Sequence, residues 1–227
     1  MDDDEIGKLT QGNMRIMNPV SETKLILAGK YANLKPGMSV LDVGCGNGTL
    51  LHLWYKAFGI CGIGIELQKE SASRAKELLR GTGISVIEGD AAEWIPDESY
   101  DVVSVFGTAF IFGGAEAALN HLAEYVKDGG CLVIGDRVWK KTVVPPEFAR
   151  EWAEVPTAFE LTSAARELGF TLTGMISASS DDWDRYDSAV WQNAVSKNMD
   201  EYLRHIQDEY LAYGREFMEW SCFVFKS

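Results

Sequence analysis

The chain has 227 residues, 46% hydrophobic and 24% charged, which places it among ordinary globular proteins, above the size where a core becomes marginal. Thirty-four acidic against 21 basic residues leave a net charge of -13, which repels phosphate backbones and argues against DNA or structured RNA as a partner. The longest apolar stretch, 102–112, is shorter than the roughly 18 residues a bilayer crossing needs.

In chain order, the acidic start at residues 1–5 lacks the basic and then apolar layout of a secretory signal, so a cytoplasmic address with no membrane partner is expected. Ser21 is placed to cap a helix carrying Leu25, Ile26 and Ala28, and Lys35-Pro36-Gly37 turns the chain onward. Strands are then predicted at 39–43, 62–66, 84–88, 101–106 and 131–136, with amphipathic helices at 49–58, 69–80 and 115–127 between them. This alternation builds βαβ units and a doubly wound, mostly parallel α/β sheet. Residues 143–156 read as irregular, 160–168 as a helix, 171–176 as a sixth strand and 220–225 as an aromatic terminal strand, for seven strands in all. Between the last two strands lies an insertion, 179–214, with two helical patterns. The first, capped at Asp181, aligns Trp183, Tyr186 or Asp187, Val190, Trp191 and Ala194; the second aligns Leu203, Ile206, Tyr210 and Tyr213. It suits a helical lid over a site, and equally a packed helical hairpin. The whole chain reads as one domain, with an N-terminal helical segment at 1–36, a core at 37–136 and the insertion.

Cys45, Cys61, Cys131 and Cys222 form no CxxC pair, so neither a metal site nor a disulfide framework is expected. The chemistry concentrates instead at strand ends. Val40-Leu41-Asp42-Val43-Gly44-Cys45-Gly46-Asn47-Gly48 runs from an apolar strand into a glycine turn and then a helix, letting a ligand approach bare backbone. A nicotinamide-binding turn would read GxGxxG, with its third glycine where this chain has Thr49. The next strand ends in Glu66, 22 residues after Gly44, a carboxylate suited to two ribose hydroxyls. The third ends EGDAA, where Asp90 can accept from an adenine amino group, with Leu67 and Trp94 near enough in sequence to sandwich the base. Each acid alone is an ordinary strand-end residue; successive strand ends together describe an adenosine site.

These segments resemble the class I S-adenosylmethionine-dependent methyltransferases. VLDVGCGNG matches the family's first motif, GIGIE its acidic second strand and EGDAAEW its adenine motif, while YDVVSVFGTAF and LAEYVKDGGCLVIGD look like its fourth strand and its helix-turn-strand. The resemblance covers residues 34–136, with Asp128 where the family often has proline. It implies S-adenosyl-L-methionine as cofactor, with Gly44, Cys45 and Gly46 along its methionine part, Glu66 on the ribose, Leu67 beside the base, and Asp90 with Ala91 on the adenine. Phe106 and Gly107 would face the amino acid part and the methyl group. Asp42 would organise the loop by accepting backbone N–H groups or the cofactor ammonium through water. MRIMNPVSETK and DDWDRYDSAVW look similar to a small-molecule branch of the family, whose substrate they do not fix.

The implied reaction is an in-line displacement at a sulfonium methyl, for which positioning does most of the catalysis. Asp136 and Tyr186 are candidate general bases for an acceptor that carries a proton. The fourth strand ends Phe106-Gly107-Thr108 without an acid, so no metal is expected. Arg137, Trp139, Trp183, Arg185, Tyr186 and Trp191 gather where a small-molecule substrate would lie and suggest an apolar pocket with cationic anchors, suited to an aromatic or carboxylate-bearing molecule; they suit a structural fastening of the lid as well. Arg15 and Asn18 suit closing over the cofactor from the N-terminal segment, and equally a merely flexible segment. Two rival readings are a non-catalytic S-adenosylmethionine-binding protein and an NAD-dependent oxidoreductase. A monomer and a homodimer fit the sequence equally.

Overall fold

The computed structural model describes residues 3–94 and 96–227; Met1 and Asp2, the first residues of the acidic start, and Ile95 lie outside the described residues. Seven strands, β1 (Ser39–Val43), β2 (Cys61–Glu66), β3 (Ile84–Glu88), β4 (Tyr100–Phe106), β5 (Val126–Trp139), β6 (Thr171–Ser177) and β7 (Met218–Lys226), form one sheet in the order β3-β2-β1-β4-β5-β7-β6. Neighbours pair in parallel except around β7, which runs antiparallel to both β5 and β6. The helices are α1 (Asp3–Thr10), α2 (Glu22–Tyr31), α3 (Thr49–Phe58), α4 (Lys69–Leu78), α5 (Ala115–Leu122), α6 (Pro146–Glu151), α7 (Ala158–Glu167), α8 (Ser180–Ser196) and α9 (Asp200–Glu209).

The central strands are apolar on both faces because both are covered, as parallel sheets require. Val40, Val102, Val133 and Val224 pack with Leu25, Ala28, Leu51, Trp54 and Ala75 of α2, α3 and α4. Leu41, Val103, Leu132 and Phe223 point the other way, onto Leu119 of α5 and Leu161 and Ala165 of α7. Alternate residues of each strand therefore serve different cores, and the doubly wound sheet follows from that period of two.

Several element boundaries differ from the sequence expectation. The helix expected through 127 stops at Leu122 and tightens into a 3-10 turn at Ala123–Tyr125. Strand β5 then starts at Val126, beside Tyr100, and bulges before Cys131 pairs with Val102. It continues to Trp139 because β7 supplies partners as far as Met218. The stretch expected to be irregular holds α6, which opens on Pro146, where the missing N–H leaves no helical bond unmade. The lid helix is capped by Ser179, not Asp181: Ser179 Oγ accepts from the Asp182 N–H while Asp182 reaches back to the Ser179 N–H, a reciprocal box that a cap at Asp181 would forgo.

Candidate active site

The strand order reverses direction beside β1, and ligands of doubly wound sheets bind in the crevice outside the carboxyl ends at such a point. Here β1 ends in the turn Gly44-Cys45-Gly46. Gly44 has φ +67°, and a Cβ on it would lie 2.5 Å from Thr108 Oγ1, so no other residue fits. Thr108 in turn donates to the Val43 carbonyl at 3.0 Å, tying the end of β4 to the turn. Glu66, nearly buried at the end of β2, accepts the Gly46 N–H on Oε2 and the Gln68 N–H on Oε1, each at 2.8 Å. The carboxylate that sequence assigns to a ribose therefore also holds the glycine turn in shape.

Asp42 sits directly beside Ser104 in the β1–β4 register and accepts its hydroxyl at 2.7 Å. That side-chain bond stands where backbone amides of the turn were expected. Burial, opposed by the Ser104 bond and reinforced by the Glu66 charge, pushes Asp42 up to about 7. Burial first, then the charges of Asp42 and Glu66, also raise the Cys45 thiol well above its usual range. Cys45 packs so tightly on β2 that a Cβ on Gly64 would lie 2.6 Å from its sulfur. Phe106 likewise turns inward, its ring 6.3 Å from Trp54 and 5.8 Å from Trp220. Both side chains belong to the core, so what these two residues present at the strand ends is backbone. Asp90 is exposed and accepts the Ala92 N–H at 2.9 Å; Ala91 is buried beneath it, Leu67 is exposed and Trp94 leans on the α5–α7 core.

The N-terminal segment is stapled over this floor. Asn47 Nδ2 donates to the Met14 carbonyl at 2.8 Å and Thr49 Oγ1 to the Arg15 carbonyl at 2.7 Å. Asn18 Nδ2 donates to the Phe106 carbonyl at 3.3 Å, its amide lying over Gly107, where any Cβ would collide with it. Arg15 contributes its backbone, while its guanidinium pairs outward with Glu22 at 2.7 Å. Between this segment and α8 lies a cleft of about 440 Å³ lined by Met14, Ile16, Asn18, Arg185, Tyr186 and Ala189.

The lid side of the cleft has its own latch. Lys24 of α2 donates to Asp182 Oδ2 at 2.6 Å and to the Ser177 carbonyl at 2.8 Å. Arg185, expected to anchor a substrate, bonds Asp182 at 3.0 Å and the Val20 carbonyl at 3.2 Å, joining lid to N-terminal segment. Trp183, Tyr186, Trp191 and Tyr210 pack edge to face or stacked on one another. Trp139 lies apart, edge-on to Phe148, which stacks on Tyr213. At the end of β5 the Asp136 carboxylate accepts the Arg137 N–H at 2.7 Å, and burial raises its pKa against the pull of Arg137. The Arg137 guanidinium lies 4.8 Å over the Trp152 ring. Burial, opposed by Arg137, pushes Tyr186 up to about 12, so its phenol stays protonated and suits a hydrogen-bond donor better than a base.

A methyltransferase-domain family model matches residues 34–208. The Escherichia coli K12 protein YjhP is 30% identical over 99% of this chain and 98% of its own length. The chain belongs to the class I S-adenosylmethionine-dependent methyltransferases. A Geobacter sulfurreducens methyltransferase solved with S-adenosyl-L-homocysteine superposes with a TM-score of 0.87, at 28% identity and covering 97% of each chain. The YjhP crystal structure gives 0.85 at 29% identity, over 97% of this chain and 98% of that one. Nocamycin O-methyltransferase of Saccharothrix syringae is 34% identical over 54% of this chain and 44% of its own.

In this methyltransferase the glycine turn, Glu66, Asp90 and Ala91 share the β1–β3 ends, as their motifs implied. Ser104 was legible in principle, since a parallel neighbour of β1 must set one residue beside Asp42. Met14, Asn47, Trp152 and Lys24 were not, because their roles depend on contacts that no local motif encodes.

Proposed function

We propose that this methyltransferase acts on a small-molecule acceptor held between its N-terminal segment and helix α8 of the insertion. The observation that carries this reading is the cleft of about 440 Å³, a volume in the range of small-ligand sites. It is walled by a helix latched through Lys24, Asp182 and Arg185. The net charge of -13 supports the same choice over nucleic acid.

The residues at the β1–β3 ends fit the family's cofactor. Glu66 and Asp90 offer carboxylate oxygens to ribose hydroxyls and an adenine amino group, and Gly44 and Gly46, both at positive φ, present backbone without side chains. Leu67, 63% exposed, covers one face of the base. When bound, S-adenosylmethionine supplies a methyl group already activated by the sulfonium charge. The chain's part is to orient, to exclude water through the lid and to keep Asn18 and Gly107 packed beside the reacting space. Asp136 and Arg137 stand at the acceptor side of that space.

Calorimetric titration with S-adenosylmethionine, S-adenosylhomocysteine and NADH tests the cofactor assignment. Binding of the first two, weakened at least about tenfold by Glu66→Ala, is expected; binding of NADH alone would overturn it. Formation of S-adenosylhomocysteine during a metabolite screen tests the acceptor class, and turnover only on nucleic acid or protein would sink the small-molecule reading.

A further inference from the structure

The inner side of α8 carries polar groups that the protein itself does not satisfy. Asp187 Oδ2 and, one turn later, Trp191 Nε1 are buried without a hydrogen-bond partner. Tyr186, 8% exposed, lines the cleft, and among the described residues its hydroxyl has no partner. Buried polar groups are otherwise paired almost without exception. A carboxylate oxygen is the costliest to leave alone. The electrostatic setting of Asp187 is acidic: Asp184 on its own helix and Glu209 on α9 face it, with Arg137 of β5 as the opposing charge. Asp184 is occupied by Arg215 at 2.8 Å and by the Tyr210 hydroxyl at 2.7 Å. Glu209 accepts the Trp152 N–H at 3.4 Å. Arg137 rests on Trp152 and, among the described residues, has no carboxylate within ion-pair distance. Burial and these acidic neighbours push Asp187 up to about 7.

We infer that the cleft beside Tyr186 of α8 binds a protonated small amine, with Asp187, the next residue of the helix, as the carboxylate that receives its N–H groups. The inference rests on the acceptor site proposed above and names its substrate class. An ammonium group satisfies the unpaired Asp187 oxygen and offsets the Asp184 and Glu209 charges that face it against one guanidinium. The rings of Trp183, Tyr186, Trp191 and Tyr210, joined by one stacked and two edge-to-face contacts, attract a cation rather than an anion. An anionic acceptor, which the sequence alone also allowed, sets its charge against Asp187 and Glu209 with Arg137 as its single support.

Three probes of one shape and different charge separate these cases: 2-phenylethylammonium, 2-phenylethanol and 3-phenylpropanoate. Each is titrated near pH 8, where Asp187 and the amine are both charged, into the full chain with and without S-adenosylhomocysteine. The ammonium should bind at least about tenfold more tightly than the carboxylate. Asp187→Asn should abolish that preference while leaving the affinity for S-adenosylhomocysteine unchanged. Arg137→Met should weaken binding of the carboxylate probe, which keeps the inference testable if the first variant fails to fold. Equal binding of all three probes, tighter binding of the carboxylate, or no binding of any probe overturns the amine assignment. Failure of S-adenosylhomocysteine to bind overturns the cofactor reading beneath it, and the titrations made without it still decide the charge preference.

Discussion

At the scale of single residues, Asp42 shows how a position can be apolar in its surroundings and acidic in its chemistry. Its strand neighbours are core valines and leucines, and the hydroxyl of Ser104 is the one polar group the β4 register places against it. Burial leads the forces that raise its pKa to about 7. The folded protein therefore holds a proton that the unfolded chain, titrating near 3.8, releases. Stability from this residue is present below about pH 4 and declines as pH rises toward 7. Asp42→Asn should flatten the fall in urea midpoint over that window, while Ser104 keeps a bonding partner. An unchanged slope would place the titration elsewhere. Gly64 shows the opposite limit. A methyl group there meets the Cys45 sulfur at 2.6 Å and Leu51 at 2.8 Å, so Gly64→Ala should cost about 1–3 kcal/mol in equilibrium unfolding.

At the scale of elements, the lid is held by charge as well as by apolar packing. Burial works against the Asp182 carboxylate, yet hydrogen bonds from Lys24 and Ser179 outweigh it and hold its pKa down to about 2. Because the folded pKa lies below the unfolded one, this latch contributes fully above about pH 4 and is lost as pH falls toward 2. Lys24→Met should destabilise the protein by about 1–3 kcal/mol, less than a wholly unpaired buried charge would cost, because Ser179 and Arg185 still reach the carboxylate. Hydrogen exchange should quicken along α8 more than along β1 or β4; uniform quickening would mean the latch serves the whole fold. The N-terminal segment depends on a different set of bonds, from Asn18, Asn47 and Thr49, and the paired change Asn47→Ala with Thr49→Val should loosen it without touching the latch.

At the scale of the molecule, the sheet and its two cores provide a rigid floor, and everything that covers the cleft comes from outside residues 37–136. Cofactor binding should therefore stabilise the whole chain. S-adenosylhomocysteine at about a hundred times its Kd adds roughly 2.7 kcal/mol, which in a chain of this size raises Tm by about 5–10 °C. Calorimetry on wild type and Glu66→Ala at the same ligand concentration, where a tenfold weaker Kd cuts the increment to about 1.4 kcal/mol, checks this. Among the described residues no helix is long and apolar enough to cross a membrane.

Strand and helix periodicity, glycine at forced turns and carboxylates at successive strand ends are local properties, so the sequence by itself determined the doubly wound sheet, its strand positions and the grouping of the glycine turn with Glu66 and Asp90. Side-chain direction at the ends of elements is not local. Only the tertiary structure decided that Cys45 and Phe106 turn into the core, that Arg185 fastens the lid, and that Ser179 begins it. The same holds for Asp187: helical spacing left either Tyr186 or Asp187 on a shared face with Trp191, and whether a carboxylate is paired depends on what α9 and β5 bring opposite it. Those distances arise from packing of segments far apart in the chain.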